Sequence, residues 1–407
     1  MIKLLHFADV HLGMESYGRW DPQTGLSVRL MDFLEAFDRI VERALAEKVD
    51  LAIFAGDAYK SRDPTPTYQR EFAARIRRLA QAGIPVVLVA GNHDTPHAIG
   101  RANAIEIFDT LGVENVHVIQ RPQLLTIPTR GGPVQVVGLP WIVRSALLAR
   151  EEYKGLSLEE VNALIAEKVT NIVAHPQEGL ISQLDPSLPT VFTAHGTVQG
   201  ATYSSERSVM LGQEVILTPS LVAHPSFGYV ALGHIHKHQA LHDHPPVVYS
   251  GSIERIDFGE EREQKGFVLA QVQCGGAEWE FIPLPTRPFV TIEVEATGPD
   301  PTAQVMAAIG EREIEGAVVR LIIHTTAEWE PLLRDEEIRR ALEPAFHLAA
   351  LVRDVERPTR LRLGSRAAAE LSPEELLRHY LEIKGTTPER TKVLLQHARE
   401  IFEATSG

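Results

Sequence analysis

The chain has 407 residues, 44% hydrophobic and 23% charged, proportions that support a large core with smaller attachments and exclude wholesale disorder. A formal charge of −14 weighs, as a global count, against a nucleic-acid partner. The single cysteine, Cys274, excludes an intramolecular disulfide and a cysteine-based zinc site.

Charge is unevenly distributed, however. Residues 60–150 hold eleven Lys and Arg against six acids, a local balance of +5, which permits a basic approach to a site as readily as a mixed solvated surface. Met1-Ile2-Lys3 runs straight into the first apolar segment with no signal peptide, and no apolar run reaches the length of a membrane span. A cytoplasmic protein with no membrane partner is expected.

In chain order, the apolar run 4–8 ends in Asp9-Val10-His11, and residues 30–48 carry apolar side chains at helical spacing. Run 51–55 ends in Gly56-Asp57, a second helical pattern covers 68–81, and run 84–90 ends in Gly91-Asn92-His93-Asp94. Strand, helix, strand, helix, strand predicts parallel pairing with crossover helices. After a helical stretch at 160–174, run 190–194 ends in His195-Gly196 and run 229–232 ends in Gly233-His234-Ile235-His236. Shorter strands joined by turns follow, as at 247–249 and 266–270, and residues 1–285 read as one α/β domain.

Pro283, Pro285 and Pro288 then mark a linker. Residues 286–360 predict a small α+β unit, with strands at 289–294, 318–324 and 347–355 and helices at 302–309 and 335–343. The remainder, 361–407, joins an arginine-rich connector (357–366) to a helix pair. Ser372-Pro373-Glu374-Glu375 is a capping box, Gly385 closes the first helix, and Thr387-Pro388 opens the second. Leu376, Leu377, Tyr380 and Leu381 line one helix, and Val393, Leu394, Ile401 and Phe402 the other, so these stripes need a covering surface on their own domain or on a partner.

Five apolar runs therefore end in side chains that ligate metals, and ligands placed after buried strands gather at one sheet edge. Divalent ions that activate water on phosphate esters take a mixed carboxylate and imidazole shell, with one carboxylate able to bridge. Asp9, His11 and Asp57 supply one side of such a shell, and Asn92, His195, His234 and His236 the other. Each motif alone is weak, since an Asp after a strand is commonly a turn residue; the ordered set of five is not. His93 follows a ligand directly and would project beside the ions as a general acid, with Asp94 either holding its ring or capping the next helix. His175, at the end of a helical stretch, is set aside in favour of His195. The other histidines, among them His6, His97 and His238, read as solvated or structural.

This ordered set resembles the calcineurin-like metallophosphoesterase superfamily. Nearly end to end the chain is similar to its DNA-processing branch, the SbcD/Mre-type nucleases of double-strand-break repair. The loop 61–66, Ser250-Gly251-Ser252-Ile253-Glu254-Arg255 and Asp257-Phe258-Gly259-Glu260 narrow the resemblance to that branch. It implies a β-sandwich flanked by helices, a capping domain (286–360) that contacts DNA, and a C-terminal helix pair that docks an SMC-like ATPase of the SbcC type. It further implies that Asp9, His11, Asp57 and His236 bind one metal, that Asp57, Asn92, His195 and His234 bind the other, and that His93 is the catalytic acid. Manganese is the implied ion, duplex ends and hairpins are the implied DNA substrates, and a homodimer assembling as a heterotetramer with the ATPase is the implied oligomer. The chain has no G-x-x-x-x-G-K loop of its own, so ATP dependence would require that partner. Lys60 stands where some relatives carry a histidine, in reach of a phosphate. The competing readings are a general phosphodiesterase of small substrates and a non-catalytic DNA-end scaffold.

Overall fold

The computed structural model describes residues 1–96, 101–143, 155–204, 215–357 and 372–405. His97, Arg144, Arg150, connector residues 358–366 and the side chains of Ile401 and Phe402 lie outside the described residues.

Two six-stranded sheets form the body among the described residues. The first contains β1 (Ile2–Phe7), β2 (Leu51–Phe54), β3 (Val86–Val89) and β4 (Val116–Ile119), all parallel. The second is built from β5 (Gln123–Ile127), β6 (Val134–Leu139), β7 (Thr190–His195), β10 (Tyr229–Gly233), β11 (Gln239–Asp243) and β12 (Pro246–Tyr249), ordered β11-β12-β10-β7-β6-β5. Between β7 and β10, β8 (Thr197–Val198) pairs with β9 (Ile216–Leu217) as a separate ribbon.

The parallel pairing expected of the opening strands is what β1, β2 and β3 show, but the first sheet does not end with them. β13 (Gly266–Gln273) and β14 (Gly276–Pro283) form a hairpin that returns to it, and β13 pairs antiparallel with β1, giving the order β14-β13-β1-β2-β3-β4. An apolar run announces a buried strand but does not name its neighbour, so this return is not visible in the run itself.

Alternation along each strand sorts side chains into separate cores. Leu4, Ile53, Val87 and Val268 of the first sheet meet Val136, Val191, Ala231 and Val248 of the second. The opposite face of the first sheet, including Leu5, Phe7, Phe54 and Leu88, packs on α1 (Val28–Glu47) and α2 (Pro66–Gln81) through Phe33, Phe37, Phe72 and Ile76. Helix Leu158–Ala174 covers the second sheet with Ile165, Val169 and Val173, and His175 is its C-cap. The layers run helix, sheet, sheet, helix.

A buried polar contact crosses the inner layer. His6 on β1 donates from Nε2 to the Leu232 carbonyl (3.1 Å) and accepts at Nδ1 from the Tyr229 hydroxyl (3.0 Å). Burial presses its pKa from 6.5 down to about 3. The unfolded chain therefore takes up this proton first, so the contribution of His6 is complete above pH 6.5 and is lost as pH falls towards 3. Relative to a His6→Phe variant, urea denaturation should show the parent chain losing about 2 kcal/mol of its advantage between pH 6.5 and 5. A pH-independent difference would mean that His6 is charged in the fold.

A three-stranded parallel sheet follows the prolines: β15 (Phe289–Glu295), β16 (Val318–Thr326) and β17 (His347–Glu356), in that order. Helices Pro301–Gly310 and Asp335–Ala341 bury its apolar face through Val305, Ile309 and Ile338. Arg287 fixes the entry to this unit. It forms a two-pronged pair with Asp32 of α1 (2.7 and 2.6 Å) and stacks on Phe346 at 3.8 Å. The C-terminal helices are Pro373–Ile383, with the Ser372/Glu375 capping box formed, and Pro388–Thr405. Leu381 and Ala398 are buried, whereas Tyr380, Val393 and Leu394 are exposed. Among the described residues no helix is long and apolar enough to cross a membrane.

Candidate metal centre

The register of both sheets delivers the ligand candidates to one place. Phe7 pairs with Phe54, so Asp9 and Asp57 sit just past neighbouring parallel strand ends, and Asn92 follows β3 beside them. In the second sheet Gly233 pairs with His195, which sets His234 next to it. Close approach requires glycine at two positions. A Cβ at Gly56 would collide with the His195 ring, and one at Gly91 with the Asp57 carboxylate.

Three groups of donors result, each with its atoms within 4.8 Å of one another: Asp9, His11 and His236; His11, Asp57 and His93; and Asp57, His195 and His234. Asp57 belongs to two of them and lies in the middle, with Oδ2 3.3 Å from His195 Nε2 and 3.8 Å from His11 Nε2. The Asn92 side-chain oxygen lies 2.9 Å from His195 Nε2 and 3.0 Å from His234 Nδ1. All seven sequence-derived ligand candidates are buried together, and His93 stands half-buried at their edge. Backbone strain concentrates here. Asp9, His11, Asp57 and His234 adopt φ of 52°, 46°, 61° and 102°, a region that non-glycine residues rarely occupy and that persists where the surroundings enforce it.

The donor chemistry fits divalent cations. His195 donates from Nδ1 to the Ala55 carbonyl (2.7 Å), and His236 donates from Nδ1 to Glu260 (2.7 Å). Each outer nitrogen thus carries a proton, so Nε2 is the nitrogen that would present its lone pair inward to a bound cation. His11 Nε2 and His236 Nε2 face each other at 3.0 Å, a spacing that two imidazoles adopt comfortably around a cation.

The electrostatics are correspondingly extreme. Burial lifts Asp9 to about 7 against the opposing pull of His195 and His236. Asp57 is as deeply buried, yet His195, His93 and His11 hold it well below the usual carboxylate range. Burial disfavours a charged His195, but Asp57, reinforced by Asp9, raises it to about 9. These imidazole charges balance carboxylates that a bound dication would otherwise neutralise.

One expectation changes. Among the described residues Asp94 does not orient His93: its carboxylate accepts from the amides of Asp57 (2.9 Å), Ala58 (3.0 Å) and Gly91 (3.1 Å), bracing two loops of candidate ligands against each other. The left-handed turn at Asp57 brings these amides together, a feature that spacing does not announce. The His93 ring is instead fixed by the Lys60 main chain, whose carbonyl accepts from Nδ1 at 2.7 Å. Position 60 therefore serves His93 through its backbone, while the lysine side chain is exposed. His238, read as structural, stacks on Phe281 with centroids 3.9 Å apart and bonds the Tyr249 carbonyl.

Two residues received no role from the sequence. Trp141 packs beside His234, with centroids 5.2 Å apart, and Glu260 is the buried partner of His236. The tetrapeptide ending in Glu260 is visible as a feature of the resemblance, but nothing in its spacing links it to His236.

The model of the calcineurin-like phosphoesterase family matches residues 2–238. The chain belongs to this family. It is 29% identical over 325 residues to the SbcD component of the nuclease SbcCD of Rhodobacter capsulatus, covering 76% of this chain and 75% of that protein. It is 29% identical over 320 residues to the DNA double-strand break repair protein Mre11 of Haloferax volcanii, covering 78% of this chain and 60% of the other. A second SbcD component, from the nuclease SbcCD of Staphylococcus saprophyticus, is 25% identical over 297 residues, with 72% of each chain covered.

Proposed function

We propose that this protein is a metal-dependent DNA nuclease of double-strand-break repair, hydrolysing phosphodiester bonds at duplex ends and hairpins. The convergence of seven buried donors on Asp57, with His93 at their rim, carries the reading. Similarity to the two SbcD components and to Mre11 supports DNA as the substrate, and it takes in residues outside the family model's span.

In this reading Asp9, His11, Asp57 and His236 hold one dication, and Asp57, Asn92, His195 and His234 the other, with manganese as the native ion. Bound there, the ions would stabilise charge on phosphate oxygens and make water acidic enough to act as a nucleophile near neutral pH. Asn92 contributes an oxygen without charge, which limits repulsion of the substrate phosphate. His93 donates a proton to the departing oxygen. Its Nδ1–H is committed to the Lys60 carbonyl, so the proton it can give is the one on Nε2.

Residues 1–285 would then be the nuclease domain, 286–360 a capping domain against DNA, and 361–407 the docking segment for an SbcC-type ATPase. Exposure of Tyr380, Val393 and Leu394 supports such docking. A cytoplasmic homodimer, and a heterotetramer with the ATPase, complete the reading on the strength of the resemblance. The test is manganese-dependent cleavage of end-labelled linear and hairpin duplexes beside a small chromogenic phosphodiester. Cleavage of the DNA is expected; turnover of the small ester alone would reassign the protein to the general phosphodiesterases.

A further inference from the structure

The turn that carries Glu260 faces two ways. Glu260 is fully buried in a single 3-10 turn, Phe258–Glu260. One carboxylate oxygen accepts from His236 Nδ1 at 2.7 Å; the other accepts from the Ile256 amide (3.0 Å) and pairs with Lys265 (2.8 Å). Lys265 in turn donates to the His236 carbonyl at 3.1 Å, so ring and main chain of His236 are held by one buried ion pair.

The next residue points the other way. Glu261 accepts from both the amide (3.0 Å) and the hydroxyl (2.6 Å) of Thr291 on β15. Thr291 also accepts from Arg320 of β16 at 3.0 Å, and the Arg320 guanidinium lies 4.4 Å over the Phe258 ring. Phe258 packs edge-on against Phe289 of β15, with centroids 5.1 Å apart. The small parallel sheet thus grips the turn at both ends, and the turn grips His236 in the middle.

We propose that Glu260 is a positioning residue for His236, and that the turn 258–261 transmits the placement of the three-stranded unit to the metal centre. This rests on the reading of His236 as a metal ligand. Glu260 selects the tautomer that presents the Nε2 lone pair and fixes the ring's rotation. Because Glu261 is its chain neighbour, a shift of β15 relative to the body displaces the carboxylate that orients the ring. Occupancy of the metal centre and seating of the unit are therefore linked, and by reciprocity ion binding favours the seated arrangement. DNA pressing on the unit would alter ion affinity without touching a ligand.

The test is a manganese titration of the metal-free, full-length protein, with the free ion followed by electron paramagnetic resonance. Glu260→Gln is expected to weaken one ion site by about 10–100-fold, the usual effect of removing a ligand's orienting partner, and to leave the other unchanged. ¹⁵N-histidine NMR of the same variant should show the His236 ring shifted from the Nδ1–H towards the Nε2–H tautomer, which a purely structural role would not require. Thr291→Val keeps a β-branched strand residue and the amide bond to Glu261 but removes the hydroxyl. It should weaken the same site by several-fold, and it guards against misfolding of the Glu260 variant. Parental affinities in both variants would overturn the proposal; an effect of Glu260→Gln alone would remove the transmission and leave the positioning. A His236→Ala control separates the premise, since unaltered binding there would mean that His236 is not a ligand at all.

Discussion

Replacing His93 with alanine is expected to lower manganese-dependent DNA cleavage by roughly 10²–10⁴-fold, the range for loss of a general acid, while metal content stays at the parental level. The separation of the two effects follows from placement. His93 is half-buried at the rim, its ring edge-on to His11 with centroids 5.0 Å apart, and its Nδ1 is spent on the Lys60 carbonyl. Its amide, which donates to Asp57 Oδ1 at 2.8 Å, survives the substitution, so the loop geometry around the Asp57 carboxylate is retained. Single-turnover cleavage together with elemental analysis of the purified variant checks both halves. Parental cleavage rates would remove His93 as the acid. A parallel loss of metal would make it a ligand, a role its place in the group with His11 and Asp57 allows on distance alone.

The second large effect is expected at Asp57. Asp57→Ala should strip the protein of about half its bound metal or more and reduce cleavage beyond the His93 variant, because one carboxylate belongs to two of the three donor groups. Its removal also deprives His195 of the charge that raises its pKa to about 9 and frees the His93 amide, so neighbours on both sides are affected. Mass spectrometry of the native protein reads the stoichiometry directly. Unchanged metal content would refute a bridging role and move the bridge to Asp9, the other carboxylate among the ligand candidates.

The site was more legible in the sequence than the fold around it. Asp9, His11, Asp57, Asn92, His195, His234 and His236 can be read out because each stands immediately after an apolar run, and parallel strands place their ends side by side. The helices 28–47 and 66–81 follow from apolar spacing to within two residues. The return of β13 to the edge of β1 does not, because a strand's apolar face is compatible with any neighbour of the same sheet. Asp94 and Glu260 illustrate a second limit. The partners that matter most for the site lie far off in sequence, Asp57 and Ala58 36–37 residues from Asp94 and His236 24 residues from Glu260, and a buried carboxylate bonded to backbone amides or to an imidazole leaves no periodic trace. The left-handed turns at Asp9, His11, Asp57 and His234 are likewise invisible, since the enrichment of Asp and His at positive φ does not single out these four positions from the rest.

The division of the ligand candidates between the two sheets has a mechanical consequence. Asp9, Asp57 and Asn92 hang from the first sheet, whereas His195, His234 and His236 hang from the second. Away from this edge, the layers meet through a broad apolar contact and the buried His6 bridge, with a few peripheral hydrogen bonds such as that from Arg130 to the Val49 carbonyl. An ion seated among these side chains would act as a clasp between the halves of the sandwich, and prising them apart would forfeit its binding free energy, which grows as RT ln(1 + [ion]/Kd). The candidate metal centre would then also be a seam, one whose tightness is set by the ion concentration around the protein.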